Sequence, residues 1–328
     1  MRMPINAARQ LAEDILISGG MPQTNAMIVA DILLEAELRG RKSHGFIRLP
    51  GIKSKYGEAK QSELRVVREE GHWSLIDGGN HPGYLVAHYA MEGAIKRAKV
   101  HGSSLVGVYN TSHCGMAGYY ADMARKEDLV ALLFADCLPR ITAFGGSEPI
   151  LGTNPLTVSI PSNSTPILFD MSTAAITNGD LLVAIREGKQ IAAGLGFDPQ
   201  GNPTTDPGQA LKGSVRPFGE HKGFGLGLII QILAGVLVNA ATIPLPGVNY
   251  GLLMIVIDPS IFVPIDLFKR EVDVLLNRLK ATRREAGVEE IAIPGERAYR
   301  EREQRLETGI DLEDNLLAQL RSETDLVN

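Results

Sequence analysis

Cysteine is nearly missing from this chain of 328 residues: Cys114 and Cys137 are the whole supply. Two thiols cannot build a disulfide framework, and without a second pair they cannot build a zinc cluster, so a reducing compartment, the cytoplasm, suits the composition. Positive charge is not in excess either. With 33 Lys and Arg against 38 Asp and Glu, the formal net charge is −5. That excludes nucleic acid as a main partner, because phosphate binding needs clustered cations; a small anionic ligand needs only a local positive site. The segment from Met1 to Gly20 lacks the uninterrupted apolar stretch of a secretory leader, since Arg2, Arg9, Glu13 and Asp14 break it, and it reads as an amphipathic helix. One long apolar run exists, Phe224 to Ile243, about the length of a membrane-spanning helix. Gln231, Asn239, several glycines and the lack of a second span make it a buried core helix instead, with no membrane partner.

What is present is the ordinary mixture of a packed α/β protein. Residues 5–40 carry helical spacing twice, around a Gly19-Gly20 break, and predict a helix pair. Trp73 to Gly79 predicts a strand and turn, Gly83 to His101 a helix, Val106 to Tyr109 a buried strand, Tyr119 to Lys126 a helix and Val130 to Ala135 a strand inside a sheet. Two further strands, Leu156 to Ile160 and Ile167 to Met171, flank the turn Pro161-Ser162-Asn163. Leu252 to Ile257 is another, and Ile265 to Ala281 is a long amphipathic helix. The charged stretch from Arg297 to Glu307 reads as a solvated helix face.

Four polar constellations can carry chemistry. In Ser43-His44-Gly45-Phe46-Ile47-Arg48, a helical turn puts His44 and Arg48 on one face, four residues apart. A guanidinium can grip the carboxylate of a 2-oxo acid through two parallel hydrogen bonds while an imidazolium gives its proton to the neighbouring oxygen; Ser43 can orient the ring. The surface alternative is a capping histidine and an arginine in an exposed ion pair. Asn110 to Tyr120 forms a polar loop between a strand and a helix, with His113 beside Cys114; one histidine and one cysteine are too few for a metal site, so no metal is expected. Gly152-Thr153-Asn154-Pro155, Asp170-Met171-Ser172-Thr173 and Asn178-Gly179-Asp180 place small polar residues after strands, where phosphate or ribose binds, and Asp180 is the acid best suited to partner a histidine. His221-Lys222-Gly223 opens the long apolar run as a candidate anion site. No Walker loop and no Gly-x-Gly-x-x-Gly after a strand occurs, so a nicotinamide site must be built without a Rossmann fingerprint.

Taken in order, these segments, with Gly201-Asn202-Pro203-Thr204-Thr205-Asp206-Pro207 and Pro294-Gly295-Glu296, resemble the type 2 malate/L-lactate dehydrogenase family. That family includes sulfolactate, ureidoglycolate and diketogulonate oxidoreductases and the Δ1-piperideine-2-carboxylate reductases. The resemblance covers about nine-tenths of the chain, and it is the joint order that is specific. It implies a non-Rossmann α/β fold with a large mixed sheet flanked by helices, a helical lobe from residues 1–70 joined by 300–328, a substrate and dimer lobe from 71–118 and 245–299, and a nicotinamide-binding lobe from 119–244. It also implies a homodimer with its active site between lobes. The implied activity is NAD- or NADP-dependent interconversion of a small 2-oxo acid and its 2-hydroxy acid, or alternatively NADPH-dependent reduction of cyclic imino acids such as Δ1-piperideine-2-carboxylate and Δ1-pyrroline-2-carboxylate. By the same resemblance His44 is the proton donor, with His113 its competitor. Arg48 is the carboxylate clamp, Ser43 and Asp180 are a relay to His44, and Thr153 lies near substrate. Asp170, Met171, Ser172, His221, Lys222, Gly295, Glu296 and Arg297 contact the cofactor. Two departures stand out: Asp180, where relatives often differ, leans towards the imine-reducing branch, and Cys114 replaces a bulkier residue.

Overall fold

The computed structural model describes residues 2–58, 60–246 and 248–325. Its centre is a seven-stranded mixed sheet in the order Arg65–Glu70, Trp73–Asp77, Ser103–Thr111, Tyr250–Ile257, Val130–Ala135, Leu156–Ile160, Ile167–Met171. All neighbours are antiparallel except Trp73–Asp77 and Ser103–Thr111, which run parallel because the helix Gly83–His101 carries the chain back between them. The middle strand, Tyr250-Gly251-Leu252-Leu253-Met254-Ile255-Val256-Ile257, has no alternation of apolar and polar residues, and its burial explains why: both of its faces are covered.

The predicted helix pair is present as Ile5–Ser18 and Gln23–Leu38. Val29, Ala30, Leu33, Ala36 and their neighbours are fully buried, so the second helix is walled in by the first helix, by Gly83–His101 and by Glu296–Thr308. Fully burying a side chain such as Leu33 contributes about 1.5–3 kcal/mol, enough for a handful of these positions to fix the helical layer on the sheet. The core of this layer and of the sheet is one continuous cluster. A second, smaller cluster around Ile141, Leu181 and Val215 supports a five-stranded sheet in the order Pro203–Thr204, Gly196–Phe197, Ser214–Val215, Ile141–Thr142, Pro149–Leu151. The large sheet draws strands from both sides of residue 119, since Tyr250–Ile257 pairs with Ser103–Thr111 along one edge and with Val130–Ala135 along the other.

The long apolar run departs from expectation. It is helical only over His221–Gln231, widens into a π-helical turn at Ile232–Val236, and stops where Asn239 takes a positive φ. Nor is it wholly a core helix. Gln231 and Ile230 face inward, but Ile229, Val236 and Leu237 are 54%, 52% and 60% exposed, so one face of the run is an apolar ridge on the surface. Composition made the whole run look buried; the glycines and the π turn give it two faces instead. Among the described residues no helix is long and apolar enough to cross a membrane.

Candidate active site

Two close approaches set the site. Gly83 opens its helix so near the loop after Ser103–Thr111 that a Cβ there would lie 2.0 Å from the Ser112 carbonyl oxygen. Only glycine lets the helix start and the His113 loop meet. On the other side, a Cβ on Gly45 would lie 2.1 Å from Glu37 Oε1, and that same oxygen accepts a hydrogen bond from the Phe46 N–H at 2.8 Å. Burial pushes the Glu37 carboxyl up to about 7 despite that donor.

The segment carrying His44 is not the single helical turn its spacing predicts. It consists of two 3-10 turns, Lys42–His44 and Phe46–Arg48, separated by Gly45. The result still gathers the expected groups. Ser43 Oγ and His44 Nδ1 share a hydrogen bond of 3.0 Å, and Arg48 Nε donates to the Ser43 carbonyl at 2.7 Å. The His44 and His113 rings lie 5.8 Å apart, centre to centre, and Tyr84 meets His113 edge-on at 6.0 Å.

Beside them lies a cavity of about 230 Å³ lined by Arg48, Gly51, Ile52, Lys55, Gln61, Asn80, Pro82, Tyr84, Ser112 and His113. Three residues of this wall each carry a buried side-chain atom with no hydrogen-bond partner, His113 Nε2, Tyr84 Oη and Gln61 Nε2. Each such orphan costs of order 1–3 kcal/mol, and all three belong to residues that line this one cavity. Burial, reinforced by the charge of Arg48, pushes His44 down to about 4, with Asp170 acting the other way. His113 falls to about 3, first through burial and then through His44, Arg48 and Lys55. Both imidazoles are therefore neutral at physiological pH in the ligand-free site.

The remaining candidates fall in three places. Asp170 sits at the end of the sheet's last strand. Its Oδ2 accepts from the Gly118 N–H at 3.0 Å and its Oδ1 from Thr157 Oγ1 at 2.9 Å, which puts its charge on the first turn of the helix Ala117–Arg125 and in reach of His44. Met171 and Ser172 follow it, half-buried, with Ser172 Oγ accepting from the Ala174 N–H. The turn Gly295-Glu296-Arg297 lies against the same strand, since Pro294 accepts from the Leu168 N–H. Glu296 caps that turn through Ile293 and pairs with Lys280, while Arg297 is exposed. His221 and Lys222 begin the apolar helix, His221 edge-on to Phe144 at 6.2 Å. The Thr153 carbonyl accepts from Thr173, which places it beside the strand end rather than on the cavity wall.

Asp180 stands apart from the relay expected of it. Its carboxylate accepts from the Thr177 hydroxyl at 2.7 Å and the Thr177 N–H at 3.2 Å, closing a capping box on the helix Asn178–Arg186. Ser43 packs near this helix start, 3.3 Å from where a Gly179 Cβ would stand, yet it is Asp170 whose charge His44 feels. Reasoning from sequence did not single out Lys55, Gln61 and Tyr84 as wall residues. For Lys55 a signal existed: Gly51, Ile52 and Lys55 share one face of the helix Leu49–Glu58, three, four and seven residues on from Arg48 at the end of the preceding 3-10 turn. Gln61 and Tyr84 arrive through tertiary packing and carry no local mark.

Comparison with known proteins agrees with this architecture. The family model for malate/L-lactate dehydrogenase matches residues 3–321. A malate/(S)-sulfolactate dehydrogenase of Methanothermus fervidus is 40% identical, over 98% of this chain and 96% of its own length. The solved sulfolactate dehydrogenase of Methanocaldococcus jannaschii superposes with a TM-score of 0.91 at 35% identity, covering 99% of this chain and 97% of that one. A delta1-piperideine-2-carboxylate reductase from Pseudomonas syringae superposes with a TM-score of 0.88 at 27% identity over 98% of this chain and 99% of that one. The chain belongs to the malate/L-lactate dehydrogenase family and is an oxidoreductase.

Proposed function

We propose that this oxidoreductase uses NAD or NADP to interconvert a small 2-oxo acid and its 2-hydroxy acid. One observation carries most of the weight: a cavity lined by Arg48 and by His113, whose Nε2 is buried without a partner, with the His44 ring 5.8 Å from that of His113. Arg48 takes the substrate carboxylate through paired hydrogen bonds, leaving the adjacent C2 and its oxygen beside the two imidazoles. A carboxylate seated there offsets the guanidinium field that helps depress both rings, so their proton affinity rises as substrate binds. His44, its Nδ1 held by Ser43, gives the proton in reduction and takes it back in oxidation. A second reading gives that role to His113, and it is favoured by His113 lining the cavity with a free nitrogen.

The cofactor is held by Asp170, Met171 and Ser172, by His221 and Lys222, and by the Gly295-Glu296-Arg297 turn, within the 119–244 lobe and its edge. These residues suit such a group. Lys222 is an exposed cation at the head of an 11-residue helix, a setting that favours a pyrophosphate, and Asp170 is already anchored close to His44. When bound, a reduced nicotinamide supplies the hydride for C2. A second copy of the chain covers the apolar ridge of Ile229, Val236 and Leu237, giving a homodimer. A cyclic imino acid fits this site less well, because its protonated imine nitrogen would face two cations, Arg48 and Lys55.

The test is oxidation of NADH and of NADPH by purified protein with pyruvate, oxaloacetate or Δ1-piperideine-2-carboxylate. Turnover of the 2-oxo acids above that of the imino acid is the expected result. Turnover of the imino acid alone would transfer the function to the alternative substrate, and turnover of none of them would end the proposal.

A further inference from the structure

Lys55 has no role in the chemistry above, yet its placement is unusual. It lies one helical face along from Arg48, Gly51 and Ile52, on the wall of the same cavity, and its charge reaches His113. Among the described residues no carboxylate comes within ion-pair range of Lys55, and the cavity wall has none at all. The contrast with Lys53, two residues earlier, is direct: Lys53 points away and pairs with Glu323 at 3.0 Å. A lysine in the last turn of a helix gains from the helix dipole wherever it points, which accounts for a cation at this position but not for its sharing one cavity wall with Arg48. Burial lowers the proton affinity of Lys55. Arg48 and Lys55 are both solvent-exposed on the rim of this cavity, so water screens their repulsion in the free site; with no protein anion between them they leave a doubly positive rim that a doubly anionic ligand complements.

We infer that Lys55 is the specificity-determining residue that holds a second acidic group, a carboxylate or sulfonate, of the 2-oxo acid whose first carboxylate is held by Arg48. The assignment rests on the 2-oxo acid reaction proposed above. Arg48 and Lys55 are seven residues apart and both line the cavity, so together they suit a short chain with an anion at each end. Gln61 Nε2 and Tyr84 Oη, both unpartnered, stand ready to donate to the oxygens of the same group. A singly charged acid leaves Lys55 and these donors unanswered, and the enzyme discriminates against it for that reason.

The experiment compares kcat/KM for oxaloacetate and for pyruvate in the wild-type protein, Lys55→Met and Lys55→Arg. The wild type is expected to prefer oxaloacetate. Lys55→Met lowers the oxaloacetate-to-pyruvate ratio at least tenfold, mainly through the KM for oxaloacetate, and Lys55→Arg restores most of it. A ratio that does not move in Lys55→Met, a parallel fall for both acids, or an arginine variant as impaired as the methionine one would each overturn the role of Lys55 while leaving the 2-oxo acid reaction standing. Failure of the wild type to reduce either acid would remove that reaction and the role of Lys55 with it.

Discussion

Two clusters of buried polar and charged groups lie in this molecule, and they are built on opposite terms. Around Asp122 nearly every strong group is answered, Arg39 Nη1 being the one buried nitrogen of the cluster without a hydrogen-bond partner. Its Oδ2 accepts from Arg39 at 2.8 Å, and its Oδ1 accepts from Tyr299 at 2.7 Å and from Arg125. Glu35 accepts from Arg39 at 2.7 Å and from Arg302 at 2.6 Å, and the Arg39 guanidinium also lies over the Tyr299 ring. Burial alone would push the Asp122 carboxyl up, but Arg39 and Arg125 overcome it and hold it well below the usual carboxylate range. The network ties Gln23–Leu38, Ala117–Arg125 and Glu296–Thr308 together. The cavity beside Arg48 holds similar ingredients, two cations, one imidazole with His44 beside it, a phenol and two amides, but without the anion, and three of its residues carry a buried polar atom with no partner. The satisfied cluster is a fastening. The unsatisfied one is a site whose missing partner comes from outside the chain.

The two clusters should therefore separate under mutation. Removing the histidine that moves the proton is expected to cost about a hundredfold to ten-thousandfold in kcat. His44→Ala and His113→Ala, assayed side by side, identify which one it is. His113→Ala also deletes a buried orphan, so its thermal midpoint should stay level or rise. A large fall in stability would place His113 with the fastening group instead. Asp122→Asn should do the reverse. It leaves Arg39 buried with one carboxylate fewer, and breaking a buried pair costs of order 3–5 kcal/mol; urea unfolding should show a loss near the lower end, because Glu35 still pairs with Arg39, while kcat per folded molecule holds. The pH sign follows from the depressed folded value. The stability Asp122 contributes is fully present above its unfolded value near 3.8 and is lost as pH falls through its lower folded value.

A third buried acid belongs to neither cluster and sharpens the contrast. Asp136 accepts from the Gly251 N–H at 2.7 Å through Oδ1, but Oδ2 has no partner, and burial raises the carboxyl to about 8. Here the folded state keeps a proton the unfolded chain gives up. Stability should therefore decline as pH climbs from about 4 to about 8, by at most about 1.4 kcal/mol per pH unit. Asp136→Asn retains the acceptor for Gly251 and should flatten that decline in urea titrations at several pH values. An unchanged slope would mean that other groups cause it.

Legibility from sequence follows the range of the contacts involved. Strands such as Val130–Ala135, Leu156–Ile160 and Ile167–Met171 match the residues their apolar runs predict, because turn residues bound each run and both neighbours in the sheet want the same thing from it. The helix Gly83–His101 is equally plain, with Ala87, Met91, Ala94 and Ala98 on its buried side. The run Phe224 to Ile243 misleads because apolar composition does not say which surface will cover it. At the site, the spacing of His44 and Arg48 was informative even though two 3-10 turns replace the helical turn it suggests. That the charge of Asp170 reaches His44 was hidden, since 126 residues of chain separate them and only the sheet's last strand brings them near.

The smallest expected effect tests the boundary between the two kinds of cluster. Ser43 is half fastening and half site: its carbonyl accepts from Arg48 at 2.7 Å, while its hydroxyl shares the 3.0 Å hydrogen bond with His44 Nδ1. Ser43→Ala keeps the carbonyl, and so keeps Arg48, but releases the ring. One hydrogen bond of this kind is worth about 0.5–1.5 kcal/mol net, which converts to roughly a twofold to tenfold loss. If His44 moves the proton, that loss falls on kcat and leaves the KM for the 2-oxo acid nearly as it was, because the carboxylate clamp is intact. If His113 moves it, Ser43→Ala leaves kcat within error of the wild type, and the hydroxyl serves only to finish the fold of the His44 turn.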